Sequence, residues 1–260
     1  MKVFIVVDME GGSGIYSFNL QTHADTRYNE TAKRMVTGDT NAAIEGAFTG
    51  GADEVVVFDS HGSGTIDFEQ LDPRAMLVSL GAAAPYGMDS SFDALFQVAQ
   101  HAMAGTAGGV LCHSYDSRDI ISIRLNGEEI GEMGIRAAIA ARYDIPFVLE
   151  TGDEAACKEA ERLVPGIESA CVKWGHSQDS ALMLHPERGQ ELIREAAARA
   201  VRRARDIPMI RVHPPFELQV TYVREHRAHL LSGMPGVERI DGRTVRAASD
   251  NLCALEALLL

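Results

Sequence analysis

Residues able to bind a cation or move a proton stand at the ends of apolar runs in this chain. Asp8 and Glu10 follow Val3-Phe4-Ile5-Val6-Val7 and precede Gly11-Gly12-Ser13-Gly14. A Val/Ile/Phe run without polar alternation is the pattern of a strand buried on both faces. Carboxylates at i and i+2 of an extended strand end point the same way. Such a pair can share one hard or borderline cation or bridge two. An aspartate in that place can equally cap a helix or form a turn. Glu54-Val55-Val56-Val57-Phe58 repeats the arrangement, running into Asp59-Ser60-His61-Gly62. If the two strands are parallel neighbours joined by a right-handed crossover, His61 reaches the sheet edge that carries Asp8 and Glu10. Asp59 is then a candidate acceptor that orients an imidazole. Further along stand His101, just before the glycine-rich stretch 104–109, then Cys112-His113-Ser114, and Glu132 at the start of a helix. A carboxylate at a helix N-terminus is electrostatically favoured even without a metal.

The elements that must position these groups can be read from periodicity. The polar segment from Tyr16 to Glu30 is expected to be a loop with some helix, covering the mouth of the site. Thr31 to Thr49 carries apolar residues at helical spacing, with an interruption at Thr37-Gly38-Asp39-Thr40 where one helix would end and Asp39 would cap the next; Gly50-Gly51 stops it. Met76 to Leu80 reads as a strand, whereas Ser91 to Ala104 fits either a helix or a core strand. The glycines that follow His101 match no phosphate-binding loop and suit close backbone packing. Ile120 to Leu125 is a strand ending in an Asn126-Gly127 turn, and Gly131 to Gly134 opens a helix to Arg142. Pro146 to Glu150 is a strand, Asp153 caps a helix from Glu154 to Leu163, Ala170 to Trp174 is a strand, and Pro186 to Arg205 is a long amphipathic helix.

Prolines 208, 214 and 215 mark a change of character after Asp206. Strands at Glu217 to Tyr222 and Thr244 to Ala248, with helices near Glu225 to Leu231 and Asn251 to Leu260, give a small α+β subdomain over 206–260 beside an α/β domain over 1–205. His226 and His229, one turn apart among Arg224 and Arg227, read as a solvated face.

With 260 residues, 46% of them hydrophobic, the chain can bury a sizeable core without staples. Its 24 Lys and Arg against 37 Asp and Glu give a net charge of −13, which repels phosphate backbones and argues against nucleic acid as a partner. The 4 cysteines, at 112, 157, 171 and 253, have no zinc-site spacing and read as reduced thiols. No leader-like or bilayer-spanning apolar run is evident, so a soluble cytoplasmic protein is expected.

Taken together and in order, Val7-Asp8-Met9-Glu10-Gly11, Asp59-Ser60-His61, His101-Ala102-Met103-Ala104-Gly105-Thr106, His113-Ser114, Asn126-Gly127 through Gly131-Glu132-Met133-Gly134, and Met234-Pro235-Gly236-Val237 resemble the D-aminopeptidase DppA family. The resemblance spans nearly the whole chain. It implies a three-layer α/β/α fold with a mostly parallel or mixed sheet and a smaller C-terminal α+β subdomain. It also implies a dinuclear zinc peptidase assembled as a ring-stacked homodecamer. Position by position, Asp8, Glu10, His61, His101 and Glu132 match the zinc ligands, with Asp8 resembling the bridging carboxylate, and His113 matches the catalytic histidine. Around His101 the family more often shows a glycine and an aromatic before the histidine and an arginine after it; here Ala99-Gln100 precede and Met103 follows.

The implied substrates are short peptides or amino-acid amides, D-residues among them. The implied cofactor is two Zn2+ per subunit, for which Mn2+ or Co2+ could substitute in a mixed oxygen and nitrogen ligand set. Ions sharing Asp8 would activate a water and polarise the carbonyl. His113 suits proton transfer between that water and the leaving amine, and attack by its ring nitrogen is the alternative. Two other readings remain open at this level. In an isochorismatase-like cysteine hydrolase Asp8 would activate Cys112, which leaves His61, His101 and Glu132 without a common purpose. A non-catalytic metal-binding assembly protein would leave His113 idle.

Overall fold

The structure, a computed structural model, describes residues 1–79 and 81–259. Leu80 and Leu260, the expected last residues of the third strand and of the terminal helix, lie outside the described residues. The chain opens with β1 (Lys2–Val7), a single helical turn (Phe18–Thr22), α1 (Asn29–Gly50), β2 (Glu54–Asp59), β3 (Met76–Val78) and β4 (Ala94–Gln100). A hairpin of β5 (Ile120–Leu125) and β6 (Glu128–Glu129) leads into α2 (Glu132–Ala141), β7 (Phe147–Asp153), α3 (Glu154–Leu163), β8 (Glu168–Ser177), β9 (Ser180–Met183) and α4 (Pro186–Arg203). The remainder comprises β10 (Phe216–Tyr222), α5 (Glu225–Leu231), β11 (Val237–Arg239), β12 (Thr244–Ser249) and a closing 3₁₀ stretch (Leu252–Leu258).

The first sheet has seven strands in the order β3-β2-β1-β4-β7-β8-β9. All neighbours pair in parallel except β8 and β9, a terminal hairpin that periodicity did not signal. From β1 the chain winds outward through β2 to β3, then returns to β4 on the other side of β1 and winds the opposite way. The carboxyl ends of β1 and β4 therefore flank a topological switch point, the place where open α/β sheets gather ligands. Helices α1 and α4 pack on one another over the sheet, and α2 and α3 pack together against β4, β7 and β8, giving the α/β/α layering. The open choice over Ser91 to Ala104 resolves as strand: every residue of β4 is buried, held between β1 and β7.

The expected break in the first helix does not occur, and Asp39 caps nothing. Residues 29–50 form one helix, and Gly38, Gly46 and Gly50 instead let α4 approach. A Cβ on Gly46 would stand 2.3 Å from the Arg194 carbonyl oxygen and 2.7 Å from the Ala197 Cβ. Tertiary contact thus overrides the weak helix propensity of glycine. Gly51, with φ 110°, closes the helix in the left-handed conformation.

The second sheet is antiparallel, with the order β11-β12-β10-β5-β6. The segment after residue 206 does not build it alone: β5 and β6, from residues 120–129, form one side through pairing of β5 with β10. The Asn126-Gly127 turn, both residues at positive φ, sets this hairpin. Its far end delivers the chain to Glu132 at the start of α2.

Candidate metal centre

Asp8 and Glu10 follow β1, His61 follows β2 and His101 follows β4, so the carboxyl edge brings them together; Glu132 enters from the first turn of α2. The loops are tied to one another by backbone. Asp8 N–H donates to Val98 O (3.0 Å) and Gly11 N–H donates to Ala99 O (2.8 Å). Ala99 sits at φ 57°, a conformation costly for a residue with a Cβ, and it turns the chain out of the strand just before His101. The Gln100 carbonyl is pinched on both sides: a Cβ on Gly11 would lie 1.9 Å from it and one on Gly152 2.1 Å.

His61 Nε2 lies 3.2 Å from Glu10 Oε1, and His101 Nε2 lies 3.2 Å from Glu132 Oε1 and 3.8 Å from Asp8 Oδ2. Ligand atoms of Asp8, Glu10 and His101 fall within 4.8 Å of one another, as do those of His101, His113 and Glu132. The hydrogen-bond network assigns the tautomers. His101 Nδ1 faces Ala102 O at 3.0 Å and His113 Nδ1 faces Leu111 O at 2.8 Å, so each Nδ1 carries the proton and donates it. His101 Nε2 then points at two carboxylates, and among the described residues Glu10 Oε2 is buried without a hydrogen-bond partner. Carboxylates and ring nitrogens crowded together in a buried site call for positive charge among them, as protons or as a cation. An imidazole tied through Nδ1–H to a carbonyl is the usual state of a metal-ligating histidine. The residues present fit a zinc centre with nitrogen and oxygen donors.

The electrostatics tell the same story. Burial raises the Asp8 carboxyl, and the neighbouring Glu10 and Glu132 raise it further. Burial also acts upward on Glu10 and Glu132, yet the His61 imidazole overcomes it for Glu10, and Arg136 with His101 overcomes it for Glu132, so both stay below the usual carboxylate range. Burial lowers the imidazoles, but Glu10 lifts His61 to about 9 and Glu132 lifts His101 to about 10. Crowded carboxylates draw positive charge to the imidazoles, the place a metal ion takes when bound.

Several supporting residues carry no motif. Arg136, buried and one turn after Glu132, bonds Gln100 Oε1 (2.6 Å), Glu132 Oε2 (2.9 Å) and Asp8 Oδ2 (3.4 Å). Gln100 Nε2 also donates to Asp8 Oδ2 at 3.2 Å. Lys173, wholly buried on β8, donates from Nζ to the carbonyls of Glu10, Gly12 (3.0 Å) and Ile15 (2.7 Å). Asp39 accepts from Ser13 N at 2.7 Å, fixing the same loop from α1. The i, i+4 spacing of Glu132 and Arg136 was a readable signal; Lys173, inside an apolar strand, offered none. Asp59 does not orient an imidazole, since its carboxylate accepts from Thr65 N and Ile66 N of the loop beyond.

The centre opens onto a cavity of about 940 Å³ between the two sheets, lined by Asp8, Glu10, His61, His113 and Glu132 among others. Cys112 does not line it; its thiol donates to Thr106 O at 3.6 Å. Buried carboxylates and imidazoles converging at the switch point of an open α/β sheet, beside a cavity of small-molecule size, make a metal-dependent hydrolase.

Residues 1–259 match the family model described as D-aminopeptidase, and the chain belongs to that family. It is 32% identical over 270 residues to the D-aminopeptidase of Bacillus subtilis (strain 168), an alignment covering 100% of this chain and 96% of that protein. Among solved structures it is similar to the zinc-dependent D-aminopeptidase DppA from Bacillus subtilis, described as a self-compartmentalizing protease. The TM-score is 0.92 at 29% identity, covering 100% of this chain and 95% of that one.

Proposed function

We propose that this chain is a dizinc aminopeptidase that removes N-terminal residues, D-residues among them, from short peptides or amino-acid amides. The observation that carries this reading is the convergence of His101 Nε2, buried, with the carboxylates of Glu132 and Asp8 beside the cavity. Asp8 stands between two pairs, Glu10 with His61 and Glu132 with His101, and would be the carboxylate that two ions share. When bound, zinc at these residues supplies a nucleophilic water at neutral pH and polarisation of the scissile carbonyl.

The chain's own residues do the rest. Arg136 and Gln100 hold the Asp8 and Glu132 carboxylates in their rotamers. Lys173 and Asp39 hold the loop that carries Glu10. His113, anchored through Nδ1 to Leu111 O and lining the cavity, presents Nε2 as the proton carrier between nucleophile and leaving amine. The proximity of His113 to His101 and Glu132 favours one second reading, in which His113 is itself a ligand. The cysteine route has no nucleophile at the cavity. A non-catalytic assembly protein does not account for His113, held and aimed at the centre.

No helix among the described residues is long and apolar enough to cross a membrane, which is consistent with the cytoplasmic setting we propose. We also propose a homo-oligomer, a ring-stacked decamer, with the 206–260 segment taking part in assembly. Exposed Val223, Leu230, Met234 and Ile240 on that segment, and the self-compartmentalizing relative, support this; light scattering on the purified protein tests it.

The deciding experiment for the activity is metal analysis followed by chelation, reconstitution with Zn2+, Mn2+ or Co2+, and a parallel screen of D- and L-aminoacyl substrates. About two equivalents of metal per chain are expected, with hydrolysis lost on chelation and restored by zinc. Less than one equivalent, with hydrolysis surviving chelation, would overturn the reading.

A further inference from the structure

The cavity has a second wall, built from the antiparallel layer and the loop before it, and the partners of its charged groups can be followed one by one. Arg224 Nε pairs with Asp119 Oδ1 at 3.2 Å, and Arg118 Nη2 lies 3.3 Å from His23 Nε2. Arg136 is engaged by Asp8, Glu132 and Gln100 as described. The acids on this wall are engaged too. Asp116 Oδ1 takes the backbone N–H groups of Arg118 (2.8 Å) and Asp119 (3.1 Å), and Glu256 takes Ala84 N (3.0 Å) and the Tyr86 hydroxyl. Arg227 differs. It lines the same cavity, is partly buried, and among the described residues no side-chain carboxylate oxygen comes within 4.0 Å of its guanidinium. Its neighbour is the neutral Tyr222 phenol, whose hydroxyl donates to Leu258 O.

A guanidinium that has no anionic partner among the described residues, inside a cavity of a protein with net charge −13, is a site for an anion. A short peptide bound with its free amine end at the metal centre carries one at its other end. We propose that Arg227 binds the C-terminal carboxylate of the substrate, so that the enzyme favours short peptides with a free carboxylate over the corresponding amides. This deepens the aminopeptidase reading and rests on it for the direction in which the peptide lies.

The test uses zinc-loaded wild type, R227Q and R227K, with a D-aminoacyl-glycine dipeptide and its C-terminal carboxamide. Wild type is expected to favour the acid in kcat/KM. R227Q is expected to reduce the acid-over-amide ratio by about 10- to 100-fold, mainly through KM, the loss appropriate to a charge-assisted bidentate contact. R227K, a point charge without the planar fork, should keep part of the preference. An unchanged ratio in R227Q, or an acid-over-amide ratio near one in wild type, overturns the proposal. Calorimetry with an uncleavable dipeptide, in which CH2–NH replaces the amide, separates the two readings. If wild type cleaves neither substrate yet binds the uncleavable acid more tightly than its carboxamide, and R227Q does not, the hydrolytic reading fails and the Arg227 subsite stands. If cleavage is normal and both forms bind R227Q as they bind wild type, the subsite fails and the hydrolytic reading stands.

Discussion

The imidazoles of His101 and His113 lie face to face, their ring centroids 3.9 Å apart and their planes inclined by 18°. Each is held through Nδ1 by a backbone carbonyl, so neither ring can turn away from the other. Two stacked imidazolium ions would repel at this distance. The stack seats the His113 ring against the imidazole that faces Glu132 and Asp8, at the edge of the cavity.

Replacing His113 separates a proton carrier from a ligand. His113→Gln is expected to lower kcat by about 10²- to 10⁴-fold, the range of a lost general acid-base group, with zinc content unchanged. Turnover paired with elemental analysis of the same sample checks this. Loss of one zinc equivalent with the activity would make His113 a ligand.

Arg136 neutralises carboxylates that have no water to help them. Arg136→Met should cost about 3–5 kcal/mol of stability in the metal-free protein, because the Asp8 and Glu132 charges stay buried without their partner. Bound zinc should recover much of that deficit, since it supplies the missing positive charge. Urea midpoints with and without zinc measure both effects; equal midpoints for the variant and wild type would show that Arg136 carries no such charge balance.

Lys173 acts on the Glu10 loop from a neighbouring strand. Lys173→Met removes the donor to the carbonyls of Glu10, Gly12 and Ile15, and each such buried acceptor left bare costs about 1–3 kcal/mol. Weaker zinc binding is expected as the loop loosens, with Lys173→Gln, which keeps an N–H donor, less affected. Competition with a chromogenic chelator gives the affinities. Wild-type affinity in a folded Lys173→Met protein would refute the positioning role.

Glu150 gives the fold a pH dependence of its own. It is wholly buried on β7, with no partner among the described residues for either carboxylate oxygen, and burial, helped by the nearby Glu159 and Asp153, raises it well above the ordinary 4.5. Above that unfolded value and below the raised folded value, the folded chain keeps a proton that the unfolded chain has released. Stability must then fall as pH rises through this window. Glu150→Gln cannot titrate, so its advantage over wild type should grow in urea melts as pH rises above the ordinary 4.5. A difference that stays constant as pH rises above 4.5 would mean that Glu150 titrates normally in the fold.

How much of this was legible in the sequence depends on which forces write locally. The buried run Val3 to Val7 and the strand Glu54 to Phe58 announced themselves because strands covered on both faces need no polar alternation. The Asn126-Gly127 turn and the Asp153 cap, which accepts from Ala156 N at 2.7 Å, are local chemistry and stood where expected. Gly38 misled because its role is set by Gln190 on α4, far along the chain. The completion of the second sheet by β5 and β6 depends on long-range pairing that no local period encodes, and β9 is only four residues long and faces solvent, too short to show a period. For the centre, the acidic and histidine groups at strand ends were visible from residue type and strand grammar. Gln100 and Lys173 were not, because a buried polar residue is understood only once its partners are known, and for Arg136 the one local signal was its i, i+4 spacing from Glu132.

The pinch at the Gln100 carbonyl has a consequence for which substitutions the chain can accept. Gly11 and Gly152 stand on either side of that oxygen with no space for a single added carbon. A methyl group at either position would push the end of β4, and His101 with it, away from the Asp8 loop. In a saturation scan scored on activity, positions 11 and 152 should tolerate as little as the proposed ligand positions themselves. The placement of the centre is in this respect written in atoms the chain leaves out.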